Sequence, residues 1–494
     1  MKLRSWPFWV IIVLYFITAL VNLAYVPVAW VDETMLIDPA WQLLKHGHFS
    51  SMIWPHKGTE DVFLAYLPLS SFIHTCTLFI FPPVIFFTRM PWLLALIIAA
   101  CFMYRFIDTR HHINKIGILV ILILFLFDEG ISNAMRSGRA EMPVLALLAA
   151  AFYLSIRRKH PYIQSLLLGL LSIAHLSVYP IIAILFAELI TRKQPARTRA
   201  LSLLIMIVPG IIYLGLAHFD VQLIYQQLIV HGREHDQSAV TGNPFWLHFV
   251  ERFQPVYRFQ AYMIILNLLI HALCVYHILV RRSFRQSVLE WCFLATSIFW
   301  FFSLAPFARY TPVLVLMIFL LLPDLYKRVL SFAGFIRINF STFSVLHAIV
   351  MFLIIGYIAA PFAIRNISAL YQRKERYEFA AYRWLDTWIK PTGQRVLIID
   401  ESIGHFYSMN REGVDFTLTY AVKKFSFKEY DEVYYLTHRS APKGGVLIDE
   451  YLKDWEVTLP AFLPKQPVIT YKGLRLYKIG DERSFEGLQR GYRD

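Results

Sequence analysis

The chain has 494 residues, of which 57% are hydrophobic and only 17% are charged. Soluble globular domains are roughly half apolar and about one quarter charged, so this composition indicates a polytopic membrane protein. It excludes a disordered chain, a coiled coil and a disulfide scaffold. The formal net charge of +14 does not require a nucleic-acid partner, because lysine and arginine also collect on the cytoplasmic loops of membrane proteins. All four cysteines lie in apolar stretches, where they indicate neither a disulfide framework nor a metal site.

A basic N-terminus is followed by a long apolar run. Lys2 and Arg4 precede nearly unbroken apolar sequence from Trp6 to Trp30. This run is long enough to cross a hydrocarbon core of about 30 Å at about 1.5 Å per residue. A cleaved signal peptide has a shorter apolar region, so we predict a retained signal anchor with its N-terminus in the cytoplasm.

Further apolar runs bring the predicted number of spans to about eleven. The run from 64 to 83 is left out of this number. The two runs within 162–190 share about thirty residues, so these spans are predicted to be short or partly re-entrant. The runs lie at residues 85–106, 115–131, 142–156, 162–175, 177–190, 199–218, 259–280, 288–305, 310–323 and 343–363.

The run from Leu64 to Pro83 is also apolar, and counting it as a span would reverse the orientation of everything after it. The distribution of lysine and arginine decides against a span. Without it, the basic clusters, such as the one at 157–159, fall in cytoplasmic loops and the acidic residues gather in the outer loops. We therefore predict that this run is a juxtamembrane helix lying on the outer surface.

The composition becomes that of an ordinary soluble domain after the last span. Short β-rich runs, such as 396–399 and 433–436, alternate there with helix-like stretches. An odd number of spans places this part on the outer side of the membrane. The predicted fold class is an α-helical polytopic membrane protein with a small extracytoplasmic α/β domain. The transmembrane domain covers 1–363, including a first outer loop at 31–84, and the α/β domain covers 364–494.

Asp32 and Glu33 directly follow the first span and open an amphipathic stretch. This position places at least one carboxylate where a lipid headgroup arrives at the membrane surface. A purely structural interpretation stays open. Asp38 before Pro39 has the pattern of a helix N-cap, with Gly47 just past the end of the helix, and Asp32 can cap a turn.

Arg136, Arg139 and Glu141 lie in a short outer turn between two predicted spans. Guanidinium groups match phosphate oxygens bidentately, and a neighbouring carboxylate can position a polar substrate. The alternative is that both arginines sit at the headgroup level and pair with Glu141 or Asp128. Both interpretations remain open from the sequence.

Arg309 and Tyr310 form a third candidate at the outer end of a late span. Ionisable residues are costly in a membrane and are therefore functional candidates, although an interfacial arginine can also snorkel. Histidines near acids in the loop from His231 to Arg252 could bind a metal, but a solvated polar loop has the same composition. The sequence contains no nucleotide-binding, serine-hydrolase or zinc-protease motif.

Several of these features form a known pattern. The Asp-Glu pair after the first span is followed by A-x-x-L-L-x-x-G-x-F from Ala40 to Phe49 and by Y-x-P at Tyr66. Arg89 opens the next span, and A-x-R-x-x-x-x-x-M-P begins at Ala134. The sequence resembles the C-type glycosyltransferases of the GT-C fold, most closely the branch of protein O-mannosyltransferases and lipid A aminoarabinose transferases.

The resemblance implies an inverting enzyme that moves a sugar from a polyprenyl-phosphate donor to a glycolipid, polysaccharide or protein acceptor. It implies a multi-pass protein of a bacterial inner membrane, with a periplasmic active site and a periplasmic C-terminal domain. No cofactor is required, and a divalent cation is supported only by the loop histidines. Nucleic acid is not an expected partner.

The resemblance also assigns roles to residues. The family's essential carboxylate maps onto Asp32, with Glu33 beside it, and its second-loop acid, commonly an aspartate, falls at Glu141. By hypothesis, Asp32 is the base that activates the acceptor, while Glu33 or Glu141 orients that acceptor. The candidates for binding the lipid phosphate are Arg136, Arg139, Arg309 and Tyr310.

Two other classes of function are compatible with this composition. A transporter or flippase of lipid-linked sugars would share the apolar bulk, but it predicts charges near the bilayer midplane, whereas these charges gather at the predicted outer ends. A scaffold or assembly subunit would need no chemical role for the Asp-Glu pair on the outer face.

Overall fold

The structure is a computed structural model, in which the packing of the chain forms two compact units. The first unit comprises 1–26, 64–70 and 89–371, and the second comprises 27–63, 71–88 and 372–494. The residues that the structure describes are 6–24, 31–54, 61–111, 114–234, 261–281, 283–301, 312–335, 356, 359–360, 362–364, 366–367, 377–389, 393–400, 402–418, 425–437, 469–471 and 474–479.

Helices dominate the described chain, and the strands are confined to its C-terminal part. The strands are β1 (Val396–Asp400), β2 (Val414–Thr417), β3 (Glu432–Thr437), β4 (Ile469–Tyr471) and β5 (Leu474–Ile479). The helices are α1 (Trp6–Asn22), α2 (Val31–His46), α3 (Leu69–Ile80), α4 (Ile85–His111), α5 (Lys115–Phe127), α6 (Glu129–Arg136), α7 (Glu141–Arg157), α8 (Pro161–Ser172), α9 (Tyr179–Ile190), α10 (Ala196–Leu216), α11 (Val221–Glu234), α12 (Ala261–Arg281), α13 (Val288–Phe301), α14 (Pro312–Phe335), α15 (Tyr377–Asp386) and α16 (Ser402–Met409).

Apolar helices of several lengths make up the first unit. Within the described ranges, α4 and α10 are each long and apolar enough to cross a membrane. The bent pair of α5 and α6 would be a third span if it is counted as one. Other apolar helices are 10–17 residues long. The predicted polytopic helical architecture with a small C-terminal sheet is confirmed.

The run predicted as a single span at 115–131 is instead two helices. Helix α5 ends at Phe127, and α6 leaves at an angle of 51°. The side chain of Asp128 accepts the backbone N–H of Ile131 at 3.0 Å, which caps the start of α6. Asp128 therefore ends one helix and starts the next.

The two spans predicted to be short are short in the structure. Helices α8 and α9 have 12 residues each, and a 3-10 turn at Leu176–Val178 separates them. Within the run from Leu64 to Pro83, α3 confirms the predicted helix. Its location on the outer membrane surface stays a prediction.

The strands of the second unit form one five-stranded sheet in the order β2-β1-β3-β5-β4. Strands β2 and β3 both pair with β1 in parallel, whereas β5 pairs antiparallel with β3 and with β4. Helix α16 connects β1 to β2, as expected for parallel neighbours. The predicted runs 396–399 and 433–436 are confirmed as the adjacent strands β1 and β3.

Alternate residues of the strands face two different cores. In β1, Val396 and Ile398 belong to one apolar cluster, while Leu397 and Ile399 belong to another. This alternation follows from the two-residue repeat of a strand. Helix α2 supplies Ile37 and other apolar residues to the first cluster, so α2 is part of the core that covers the sheet.

The expected N-cap at Asp38 is wrong. Helix α2 begins at Val31, so Asp38 and Pro39 lie inside it. Gly47 does end the helix as predicted, with a positive φ of 77° and its N–H donated to the carbonyl of Leu43 at 3.1 Å. The local sequence has the pattern of a helix start, but the helix already begins at Val31 and packs on α16.

The carboxylate of Asp38 is buried and is held by several donors. Oδ2 accepts the Ser51 hydroxyl and the Met52 N–H, each at 2.8 Å, and Oδ1 lies 3.3 Å from Nε2 of His405 on α16. Gln42 donates to Oδ1 at 3.2 Å. Burial alone would raise the pKa of Asp38, but the bonds from His405, Ser51 and Gln42 together hold it below its ordinary value of 3.8.

We expect Asp38→Asn to lower the unfolding temperature of the full chain in detergent at pH 7. The substitution replaces one carboxylate oxygen, which accepts hydrogen bonds, with an NH2 group that faces other donors. This lowers the free energy of unfolding by about 1–3 kcal/mol. The folded pKa lies below the unfolded one, so the Asp38 contribution is complete above about pH 4 and is lost as the pH falls further. The difference in unfolding temperature between wild type and Asp38→Asn should therefore become smaller below about pH 4.

The matched control is Lys478→Ala, which removes an exposed ion pair with Glu432 on the same sheet. Exposed ion pairs contribute about 0–1 kcal/mol to the free energy of unfolding, so this variant should have nearly the unfolding temperature of the wild type. Equal unfolding temperatures for wild type and Asp38→Asn at pH 7 would contradict the role of the buried carboxylate.

Candidate functional site

The turn between α6 and α7 carries three of the predicted site residues in six positions. Helix α6 ends at Arg136, and Gly138 adopts a positive φ of 62°, which a glycine reaches without strain. The N–H of Arg139 then donates to the carbonyl of Ala134 at 3.1 Å, and α7 begins at Glu141. The turn between α6 and α7 is therefore short, and Arg136, Arg139 and Glu141 all lie within it or at its ends.

Arg136 is buried, with 1% of its surface exposed. Its Nη2 donates to Oδ1 of Asn366 at 2.8 Å, and its guanidinium carbon lies 4.8 Å from the ring centre of Phe362. The rings of Tyr15 and Phe127 pack on Phe362, with centres 5.4 and 4.8 Å away. An aromatic face attracts a cation most strongly when water is excluded, so this aromatic cluster holds the guanidinium in place.

Arg139 and Glu141 form a buried two-point ion pair. Nε of Arg139 donates to Oε2 of Glu141 at 3.2 Å, and Nη2 donates to Oε1 at 2.9 Å. The Glu141 side chain is 1% exposed, and it lies in the first turn of α7, where the helix dipole favours a negative charge. The pairing of Arg139 with Glu141 is one that the structural interpretation of the sequence predicted, and it fixes the orientation of the carboxylate.

His175 also faces this ion pair, and the sequence analysis missed it. Its Nε2 lies 4.0 Å from Oε1 of Glu141. His175 precedes the 3-10 turn between α8 and α9, at the break between two predicted short spans. A lone histidine in an apolar run has no distinctive spacing, so the predicted break in the helix was the only signal that could have singled it out.

Asp32 and Glu33 lie in the second unit, in the first turn of α2. The Glu33 side chain is fully buried. For Asp32 the structure describes the backbone, which is helical from Val31 onward. Arg309 and Tyr310 lie outside the described residues, as does most of the loop from His231 to Arg252. The roles assigned to all these residues remain predictions.

One group of side chains within the described residues has the spacing of a metal site. The ligand atoms of His277, Glu290 and Asp324 all lie within 4.8 Å of one another. However, Nη2 of Arg110 already lies 2.8 Å from Glu290 and 3.3 Å from Asp324. A guanidinium shared by both carboxylates offsets their charge, so this group is better described as a buried ion-pair network.

The comparisons with known proteins show what this fold is similar to. No protein-family model and no curated protein matches the chain. ArnT from Cupriavidus metallidurans bound to undecaprenyl phosphate matches over 96% of this chain and 98% of that chain, with 10% identity and a TM-score of 0.56. The same protein in the apo state matches over the same shares, with 9% identity and a TM-score of 0.53.

ArnT is a lipid A aminoarabinose transferase with the GT-C fold. The likeness extends over nearly the whole chain, including the part after residue 360 that the sequence motifs did not cover. At this level of identity the likeness establishes the fold. The resemblance drawn from the sequence is therefore confirmed as a shared GT-C fold.

We expect Arg139→Ala to destabilise the full chain strongly, because it leaves the buried Glu141 carboxylate without its two-point partner. Removing one member of a buried ion pair costs about 3–5 kcal/mol. Adding Glu141→Gln to this variant removes the unpaired negative charge and should restore part of the lost stability. The measurement is the unfolding temperature in detergent of the two single variants and the double variant, with the exposed Arg199→Ala as control. Strictly additive effects would show that the two side chains do not interact.

Proposed function

We propose that this protein is a glycosyltransferase that takes a sugar from an undecaprenyl-phosphate-linked donor. The observation that carries the proposal is the fold likeness to ArnT bound to undecaprenyl phosphate, over 96% of this chain. The proposed acceptor is a glycolipid, a polysaccharide or a protein. The proposed setting is a bacterial inner membrane, with the N-terminus in the cytoplasm and the reaction on the periplasmic face.

The proposed chemistry is a single displacement. An acceptor hydroxyl oxygen attacks the anomeric carbon, and the bond from that carbon to the lipid phosphate oxygen breaks on the opposite side, which inverts the anomeric centre. The hydroxyl proton passes to Asp32 as general base. A lipid phosphate departs as a stable anion, so the reaction needs cations to hold it more than it needs a general acid.

The residues of the α6–α7 turn have different parts in this proposal. Arg136 is the first candidate to hold the departing phosphate, because its buried guanidinium is fixed by Phe362 and Asn366 and presents a planar fork of donors. Arg139 is already engaged at two points by Glu141, so we assign it to orienting that carboxylate. Glu141, or Glu33 on α2, then orients the acceptor. Arg309 and Tyr310 remain further candidates for the phosphate.

We expect Asp32→Asn to reduce sugar transfer by about 10²- to 10⁴-fold, since general base catalysis contributes this much. The assay uses proteoliposomes with radiolabelled undecaprenyl-phosphate sugars and extracted membrane lipids. The control is Asp220→Asn. Asp220 is exposed and accepts the N–H of Leu223 at 2.9 Å, and asparagine keeps this helix cap.

The outcomes of this assay separate the classes of function. Label that moves to a lipid or polymer acceptor with wild type and Asp220→Asn, but not with Asp32→Asn, supports the glycosyltransferase. Label that crosses the bilayer unchanged would instead establish a flippase of lipid-linked sugars. An Asp32→Asn variant as active as wild type would remove Asp32 from its role as base.

We expect Arg136→Lys to weaken donor use, because lysine loses both the planar fork and the stacking on Phe362. The apparent KM for the donor should rise by about tenfold or more, with a smaller effect on the acceptor KM. Binding can be checked separately as the shift in unfolding temperature that undecaprenyl phosphate produces. Arg199→Lys, at an exposed position on α10, is the control. An unchanged donor KM and an unchanged shift would exclude Arg136 from the phosphate site.

A further inference from the structure

His175 is held in one orientation by the turn that follows it. Its backbone is extended, with φ of −163° and ψ of 139°, and it occupies the N-cap position of the 3-10 turn Leu176–Val178. Its Nδ1 accepts the backbone N–H of Ser177 at 3.2 Å and lies 2.8 Å from the Ser177 hydroxyl. The imidazole therefore replaces the short polar side chain that usually caps such a turn.

This cap determines which ring nitrogen carries the proton. A backbone N–H can only donate, so Nδ1 must keep its lone pair, and the proton of the neutral ring lies on Nε2. A doubly protonated ring would lose the cap. The Nε2–H group is the one that lies 4.0 Å from Oε1 of Glu141.

The distance from His175 to Glu141 is longer than a hydrogen bond by several tenths of an ångström. Hydrogen bonds that act in catalysis are often long in the free enzyme and tighten in the complex with substrate. Arg139 approaches the same carboxylate with a two-point contact. The carboxylate of Glu141 thus lies among an arginine, a neutral imidazole and the start of α7.

We propose that His175 is a positioning residue for Glu141. This inference rests on the proposed function, in which Glu141 orients the acceptor. The cap on Ser177 fixes the ring. When the acceptor binds, the ring closes on Glu141 and donates Nε2–H to Oε1, so that the carboxylate keeps one orientation while the base removes the proton of the acceptor hydroxyl. His175 does not itself accept the proton, because its only lone pair is used by the cap.

Two amide substitutions separate the cap from the contact with Glu141. In His175→Asn the side-chain oxygen lies near the position of Nδ1 and can still cap Ser177, but nothing reaches Glu141. In His175→Gln the side-chain nitrogen lies near the position of Nε2 and can still donate to Glu141, but the cap is lost. A purely structural histidine would tolerate asparagine, whereas a positioning histidine would tolerate glutamine.

We expect His175→Asn to keep the unfolding temperature of the wild type and to lose about 10²-fold in kcat, with an unchanged donor KM. His175→Gln should unfold at a lower temperature and yet retain kcat within about tenfold of wild type. In an enzyme that already carries Glu141→Gln, His175→Asn should cause no further loss, because the histidine acts only through the carboxylate.

The control is His160→Asn, the same change at an exposed N-cap whose side chain makes no capping bond. A His175→Asn enzyme with wild-type kcat, or activities that simply follow the unfolding temperatures, would overturn the role of His175 and leave the proposed function intact. A wild type that transfers no sugar from any undecaprenyl-phosphate donor would overturn the proposed function and this role with it.

Discussion

The buried carboxylate of Asp38 connects distant parts of the second unit. A carboxylate removed from water must be surrounded by donors, and Asp38 receives them from its own helix, from the segment after that helix, and from His405 on α16. These contacts join parts of the chain that are 367 residues apart. The backbone of Asp32, the proposed base, lies six residues before Asp38 on the same helix α2. Of the three acids on α2, Asp38 fixes the helix, whereas Asp32 and Glu33 have proposed roles in the reaction.

In the first unit, two charged side chains of the α6–α7 turn are stabilised in two different ways. Glu141 is stabilised by the two-point contact with Arg139 and by the helix terminus. Arg136 is stabilised by the face of Phe362 and by the amide of Asn366. Sequence alone made Arg136 and Arg139 equivalent candidates for a phosphate. Their surroundings differ, because Arg139 donates twice to the carboxylate of Glu141, whereas Arg136 stacks on Phe362 and donates to Asn366.

Local patterns predicted local structure well and distant contacts poorly. The apolar runs and the β-rich runs gave the helices and the two central strands, because burial on one or both faces sets their periodicity. The Asp38-Pro39 pattern led to a wrong prediction, because locally it is typical of a helix start. The role of Asp38 depends on a distant partner, His405. The bend within the run at 115–131 was not predicted for the opposite reason, since average hydropathy conceals the capping residue Asp128. His175 had no distinctive spacing, and only its place at the predicted break between two short spans could have singled it out.

Three positions of the first unit lie where apolar helices are interrupted. Asp128 separates α5 from α6, Gly138 closes the turn before Glu141, and His175 precedes the 3-10 turn between α8 and α9. An interrupted helix leaves backbone groups unpaired, and at membrane depth these must be satisfied by side chains or face a water-filled cavity. Each interruption therefore requires a polar residue for structural reasons, and that residue is then available for chemistry. At His175 the cap on Ser177 and the contact with Glu141 fall on the same imidazole, so the group that stabilises the break between α8 and α9 is also the one proposed to position Glu141.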